Sequence, residues 1–254
     1  PPGTGRVTSV SNGAWSNIVV NTVHVTLKDI QSTWNETTIN TANATLEDIQ
    51  GAWNNFKLFS TWMDITSFNH NVAECVLQST SLIIRSGSFA LTDCILSQES
   101  TQFLSGVTFS LQNTTISTTT LEYAASSGSC NTNSSIATQQ LNWNAGELYD
   151  CSITCDNFNV TTTAAATVNS TMLVRNSSSV TADIAFSKFV NLSTFFGFGS
   201  ISGVVDNRIV MSSLAAVGNM ALNDALFEIN NYINCSGGSL SLSSATLQFP
   251  ALVT

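Results

Sequence analysis

The chain has 254 residues, 43% hydrophobic and 9% charged, with a formal net charge of -9. That balance argues against a nucleic-acid surface, which needs clustered Lys and Arg. No run of about 18 apolar residues is present to span a membrane as a helix.

The first residues, "PPGTGRVTSVSN", are polar and rich in Gly and Pro. They carry neither an initiator Met nor a signal peptide, so a processed product or a section of a longer chain is expected. From residue 13 a period takes over. "TLKDIQSTWN" at Thr26 returns as "TLEDIQGAWN" at Thr45, a step of 19. One apolar column runs through Trp15, Trp34, Trp53, Val72, Leu91 and Leu111. A second, offset by seven, runs through Leu27, Leu46, Ile65, Ile84 and Leu104, and the offset returns at Leu141 and Leu148. Two columns in step over this many periods predict stacked coils. Their members are expected to face a core, the tryptophans included.

Two residues beyond the first column stands a polar one: Asn17, Glu36, Asn55, Glu74, Asp93, Asn113 and Asp150, with Ser170, Asn207 and Asn231 as continuations. Short side chains of the Asn and Asp type tolerate left-handed backbone, so this column predicts a repeated corner. After it, "CVL" at 75–77, "CIL" at 94–96, "TTI" at 114–116, "CSI" at 151–153 and "TML" at 171–173 alternate with the period of a strand. Residues 118–140 lack a clean register and are expected to hold a loop insertion. Residues 210–228 lengthen one period to about 24, with room for a short helix.

The whole of 1–254 is therefore read as one all-β solenoid domain of 19–20 residues per coil and roughly a dozen coils. The corners "LTDCIL", "LQNTTI", "LYDCSI", "VDNRI" and "INNYI" resemble those of the right-handed parallel β-helix, as in pectin-lyase-like proteins and surface adhesins. The resemblance implies the fold and leaves function open between lyases, hydrolases, adhesins and inert filaments.

Cys75 and Cys94 fall at one position of neighbouring coils, so their Cα atoms are expected about 4.8 Å apart, within disulfide range. They form either a rung-to-rung disulfide or a stack of buried thiols. Cys130 lies one coil before Cys151 and can reach it or Cys155; Cys235 has no evident partner. No C-x-x-C pair occurs and His24 and His70 stand apart, so no metal or cofactor is assigned.

Sequons stand at Asn35, Asn43, Asn113, Asn133, Asn159, Asn169, Asn176, Asn191 and Asn234. A chain this rich in Asn, Ser and Thr would produce roughly seven by chance, so they weigh only together with the cysteines and the low charge. Together these predict a secreted or cell-surface glycoprotein. Glu74 with Asp93, Asp150 further on, and Asp29 with Asp48 stack carboxylates that could bind a cation or serve as acid and nucleophile. The bases such a site requires are scattered over Arg85, Arg175, Lys188 and Arg208, so no catalytic residue is assigned. Lys28 and Glu47 read as an exposed cross-strand ion pair. The expectation is a non-catalytic structural or adhesive building block, joining like chains end to end or through the tail "ATLQFPALVT". The alternative is a polysaccharide-active lyase or glycoside hydrolase.

Overall fold

A computed structural model describes residues 6–8, 14–28, 33–49, 52–69, 71–131, 133–160, 166–180, 184–186, 190–202, 208–235 and 239–249. These residues form 21 strands and no helix. Among the described residues the strands pair in parallel, giving a parallel β-solenoid of about 9 turns. That is fewer than the dozen coils expected; the later coils include stretches outside the described residues. The sequence reading treats the chain as one domain, whereas the fold comprises two compact units, Pro1–Ala137 and Thr138–Thr254.

In the first unit, the strand Ala52–Phe68 shows how one coil is made. Trp53 points inward, and Asn55 then turns the chain with φ 49°. Phe56 and Leu58 point inward, a bend follows at Ser60, and Met63 and Ile65 face the core before Ser67 turns again with φ 56°. Each coil thus has three short runs and three bends.

The first column is in register throughout: Trp15 pairs Trp34, Trp34 pairs Trp53, then Val72, Leu91 and Leu111 follow. Trp34 and Trp53 are buried and stacked, with centroids 5.3 Å apart and planes 25° apart. Phe56 packs on both rings. The Trp15 side chain lies outside the described residues. The second column runs Leu27, Leu46, Ile65, Ile84 and then Phe103, not Leu104. Leu104 belongs to a bulge between Phe103 and Gly106. That bulge absorbs the extra residue that lengthens the step from Leu91 to Leu111 to 20. Gly106 is needed there, because a Cβ would come within 3.0 Å of the Ser86 Cβ.

The corner column adopts the left-handed region at Asn17, Glu36, Asn55, Glu74, Asp93 and Asn113, with φ between 48° and 56°. Such a turn rotates the next N–H out of the ladder and toward the core. The side chain one coil further on accepts it. Cys75 N–H donates to Cys94 Sγ at 3.3 Å, Cys94 N–H to Thr114 Oγ1 at 3.2 Å, and Thr114 N–H to Ser134 Oγ at 3.2 Å. A second bend is closed from inside by hydroxyls that donate to the carbonyl two residues on: Thr22 to His24, Thr41 to Asn43 and Thr118 to Thr120. Buried backbone groups need partners, and these two devices supply them where the ladder cannot.

Residues 118–140 hold strands Thr115–Tyr123, Ser127–Cys130 and the start of Ser135–Trp143, with short breaks, in place of the expected loop insertion. Its turn at Asn133 is a further left-handed corner, φ 63°.

In the second unit the strand Glu147–Val160 pairs Ala166–Val180, with Leu148 opposite Val168. Trp143 is buried edge-on against Phe158, centroids 6.4 Å apart. Asp150 is a corner with φ 59°. Ser170, expected as the next corner, is buried instead. One residue fewer separates Asn169 from Thr171 than separates Tyr149 from Ser152. Ser170 Oγ accepts from Cys151 N–H at 3.1 Å and donates to Leu148 O at 3.0 Å. Residues 210–228 are strand, from Arg208–Asn223 into Leu226–Asn234, with no helix. The corners of this region are Asp224 and Ser244, φ 58° and 51°. Asn231 lies within a strand, inside the register shift between the Met211–Ile229 and Ser213–Tyr232 pairs, and not at a left-handed turn. Asn207 lies outside the described residues.

Candidate functional site

Among the described residues, the sequons and charged side chains singled out by sequence lie on the outer faces and in the corner lines of the two units, whereas Cys75, Cys94, Cys130, Cys151 and Cys155 are buried. Asn113 and Asn133 are exposed sequons on left-handed corners of neighbouring coils. Asn176 and Asn234 are also exposed, whereas Asn35, Asn43 and Asn159 are half-buried. Asn35 Oδ1 accepts from Asn54, Asn43 Nδ2 lies 3.1 Å from His24 Nδ1, and Asn159 Nδ2 donates to Asn142 Oδ1 at 3.1 Å. The side chains of Asn169 and Asn191 lie outside the described residues.

Cys75 and Cys94 are disulfide-bonded across neighbouring rungs, with Cα atoms 4.5 Å apart, as the stacking of their positions requires. Cys130 and Cys151 are each in a disulfide. Cys155 is a free, buried thiol whose pKa is pushed up to about 12, first by desolvation and then by Asp156. A thiol so placed stays protonated and is a poor nucleophile. Cys235 is free and half-buried.

Glu74, Asp93 and Asp150 are exposed at their corners, and Asp93 accepts a hydrogen bond from Asn113. Asp48 is half-buried and forms a left-handed turn at the third bend; Asp29 lies outside the described residues. The three arginines named as candidate bases are each engaged by a carboxylate one coil away. Arg85 donates from Nε and Nη2 to Asp64, at 2.8 Å for the shortest contacts. Arg175 lies 3.6 Å from Asp156, and Arg208 Nε donates to Glu228 at 2.9 Å. Asp64 holds the Arg85 guanidinium pKa above its ordinary value, mainly through the hydrogen bond. Lys28 and Glu47 form the expected surface pair at 2.9 Å. Lys188 lies outside the described residues. Among the described residues, no group of three or more His, Cys, Asp or Glu gathers as metal ligands do.

The Asp64–Arg85 pair was legible in principle. Once Ile65 and Ile84 are in register, their neighbours at 64 and 85 project outward from adjacent rungs with opposite charge. The inward hydroxyl line at Thr114, Ser134 and Ser170 was concealed, because Ser and Thr read as surface.

The class defined by this architecture is the parallel β-solenoid. No protein-family model, curated protein or solved structure matches the chain.

Proposed function

We propose that the chain is a non-catalytic extracellular structural or adhesive glycoprotein, a rigid β-helical building block of a surface filament or appendage. The observation that carries this reading is the combination on one ladder of exposed corner sequons, Asn113 and Asn133, with a disulfide between adjacent rungs. Disulfides persist in oxidising compartments, and glycans attach at surface sequons in secreted proteins. The charge pairing adds support. Each of these arginines is paired with a carboxylate on a neighbouring rung, so its charge does not oppose packing against neighbours of the same kind.

Intact-glycopeptide mass spectrometry of native material tests the glycoprotein reading, with Asn113, Asn133 and Asn176 expected to carry glycans. Electron microscopy and sedimentation test the assembly, with filaments or larger end-joined species expected. Bare sequons together with a stable monomer at high concentration would overturn the proposal. Turnover of pectin or glucan that disappears in the Glu74→Asn, Asp93→Asn double variant would replace it with the enzyme reading.

A further inference from the structure

Resting on the glycoprotein reading, we infer that Asn43 is a glycosylation site whose first sugar packs on the indole of Trp62. His24, Asn43, Trp62 and Ser81 stand in register on four successive rungs. The residues beside the first three, Val25, Ala44 and Met63, are buried, so this column faces outward. The column continues through Ser100 and Thr120. Trp62 is thus a large apolar ring in a line of small polar side chains, and it is half-exposed. Its neighbour one rung away, about 4.8 Å along the ladder, is the asparagine of the sequon Asn43–Ala44–Thr45.

The chemistry of the two residues is complementary. A pyranose presents a face of C–H groups that stacks on an aromatic ring, whose own face carries negative charge density. A sugar tethered one rung away is held at high effective concentration over that ring, so it outcompetes any free saccharide. The attachment balances simply. Asn43 Nδ2 bonds to the anomeric carbon of an N-acetylglucosamine, delivered by an oligosaccharyltransferase from a lipid-linked pyrophosphate donor. The C–O bond to the donor breaks, the pyrophosphate leaves with the electron pair, and Nδ2 gives up one proton. The second N–H remains and still reaches His24 Nδ1, which lies on the side of Asn43 opposite Trp62.

The test uses the full chain expressed in a eukaryotic secretory host, with glycans trimmed to a single isotope-labelled N-acetylglucosamine. Glycopeptide mass spectrometry is expected to find Asn43 occupied. The ring protons of that sugar are expected upfield in the NMR spectrum, and the shift is expected to vanish in Trp62→Ser. In a double-mutant cycle of Asn43→Gln and Trp62→Ser, unfolding in urea should show coupling of about 2- to 10-fold in the equilibrium constant. The same cycle in unglycosylated protein from bacteria should show none. An unoccupied Asn43 overturns the inference at its first step, and the remaining sequons then decide the glycoprotein reading. An occupied Asn43 with neither shift nor coupling overturns the stacking alone.

Discussion

The backbone N–H of Cys94 donates to Thr114 Oγ1, one coil further on, at 3.2 Å, and the same hydroxyl donates to Gln112 O at 2.9 Å. A buried side chain of one turn therefore completes the corner of the turn before it. Thr114→Val keeps the shape and removes the hydroxyl. It leaves a buried N–H without its acceptor, at a cost of about 1–3 kcal/mol. Thr114→Ser should recover most of that. Urea midpoints of the two variants provide the comparison, and equal midpoints would show that the N–H has another acceptor.

Trp53 is expected to be among the costliest single positions. It stacks on Trp34 and lies 4.3 Å from Phe56 between centroids. Trp53→Ala should destabilise by about 3–5 kcal/mol, the range for large-to-small changes in a packed core. Calorimetry that finds an unchanged transition would place the ring outside the core.

The Cys75–Cys94 bridge closes a loop with a sequence separation of 19. On the chain-entropy model, a loop of that order is worth about 3 kcal/mol. Cys75→Ala with Cys94→Ala should lower the unfolding midpoint accordingly. Non-reducing peptide maps of the parent should show the linked fragments.

The corners sort residues by backbone. Glu74 sits at φ 52°, where Asn is better tolerated than Glu, so Glu74→Asn should hold or raise stability. Asn113→Val puts a β-branched residue at φ 48° and should cost about 1–2 kcal/mol. Opposite signs in one line of the solenoid are the signature to look for in thermal scans.

Cys155 yields a pH prediction. Its thiol pKa is raised from 9.0 to about 12 in the fold, so between those values the folded state keeps a proton that the unfolded chain gives up. The contribution is full below about pH 9 and declines as pH rises toward 12. The alkaline loss of stability should be shallower in Cys155→Ala than in the parent. In native protein at pH 8, iodoacetamide should label Cys235 and spare Cys155.

The sequence carries the periodic part of this fold openly. Six of the seven corner residues named from spacing alone, Asn17 through Asn113, are consecutive left-handed turns, and Asp150 is another. The Trp34–Trp53–Val72–Leu91 line is in register as spacing requires. What escaped reading depends on one-residue changes of count. A bulge put Phe103 in the place assigned to Leu104, and a deleted residue turned Ser170 inward. Neither leaves a compositional mark, because the gain or loss sits in a bend. The Asp48 and Ser67 turns were missed for a related reason: two unlike residues share one backbone role. Trp62 was overlooked because its column is polar on either side, so no apolar period passes through it.

Every backbone N–H given to the inward line points the same way along the chain. Cys75 donates to Cys94, Cys94 to Thr114, Thr114 to Ser134, and in the second unit Cys151 donates to Ser170. The coils are thus not equivalent to a reader travelling in opposite directions. Cutting the chain after a given coil strips a backbone N–H of the last remaining coil of its acceptor, whereas cutting before a coil removes a backbone donor and a carbonyl from a hydroxyl such as that of Thr114, which keeps Gln112 O as a partner in its own coil. Nested truncations from the C-terminal side of the first unit should therefore fray one coil deeper than equal truncations from its N-terminal side. In nearest-neighbour terms the stack has a polarity, and its C-terminal direction is the one from which it unravels.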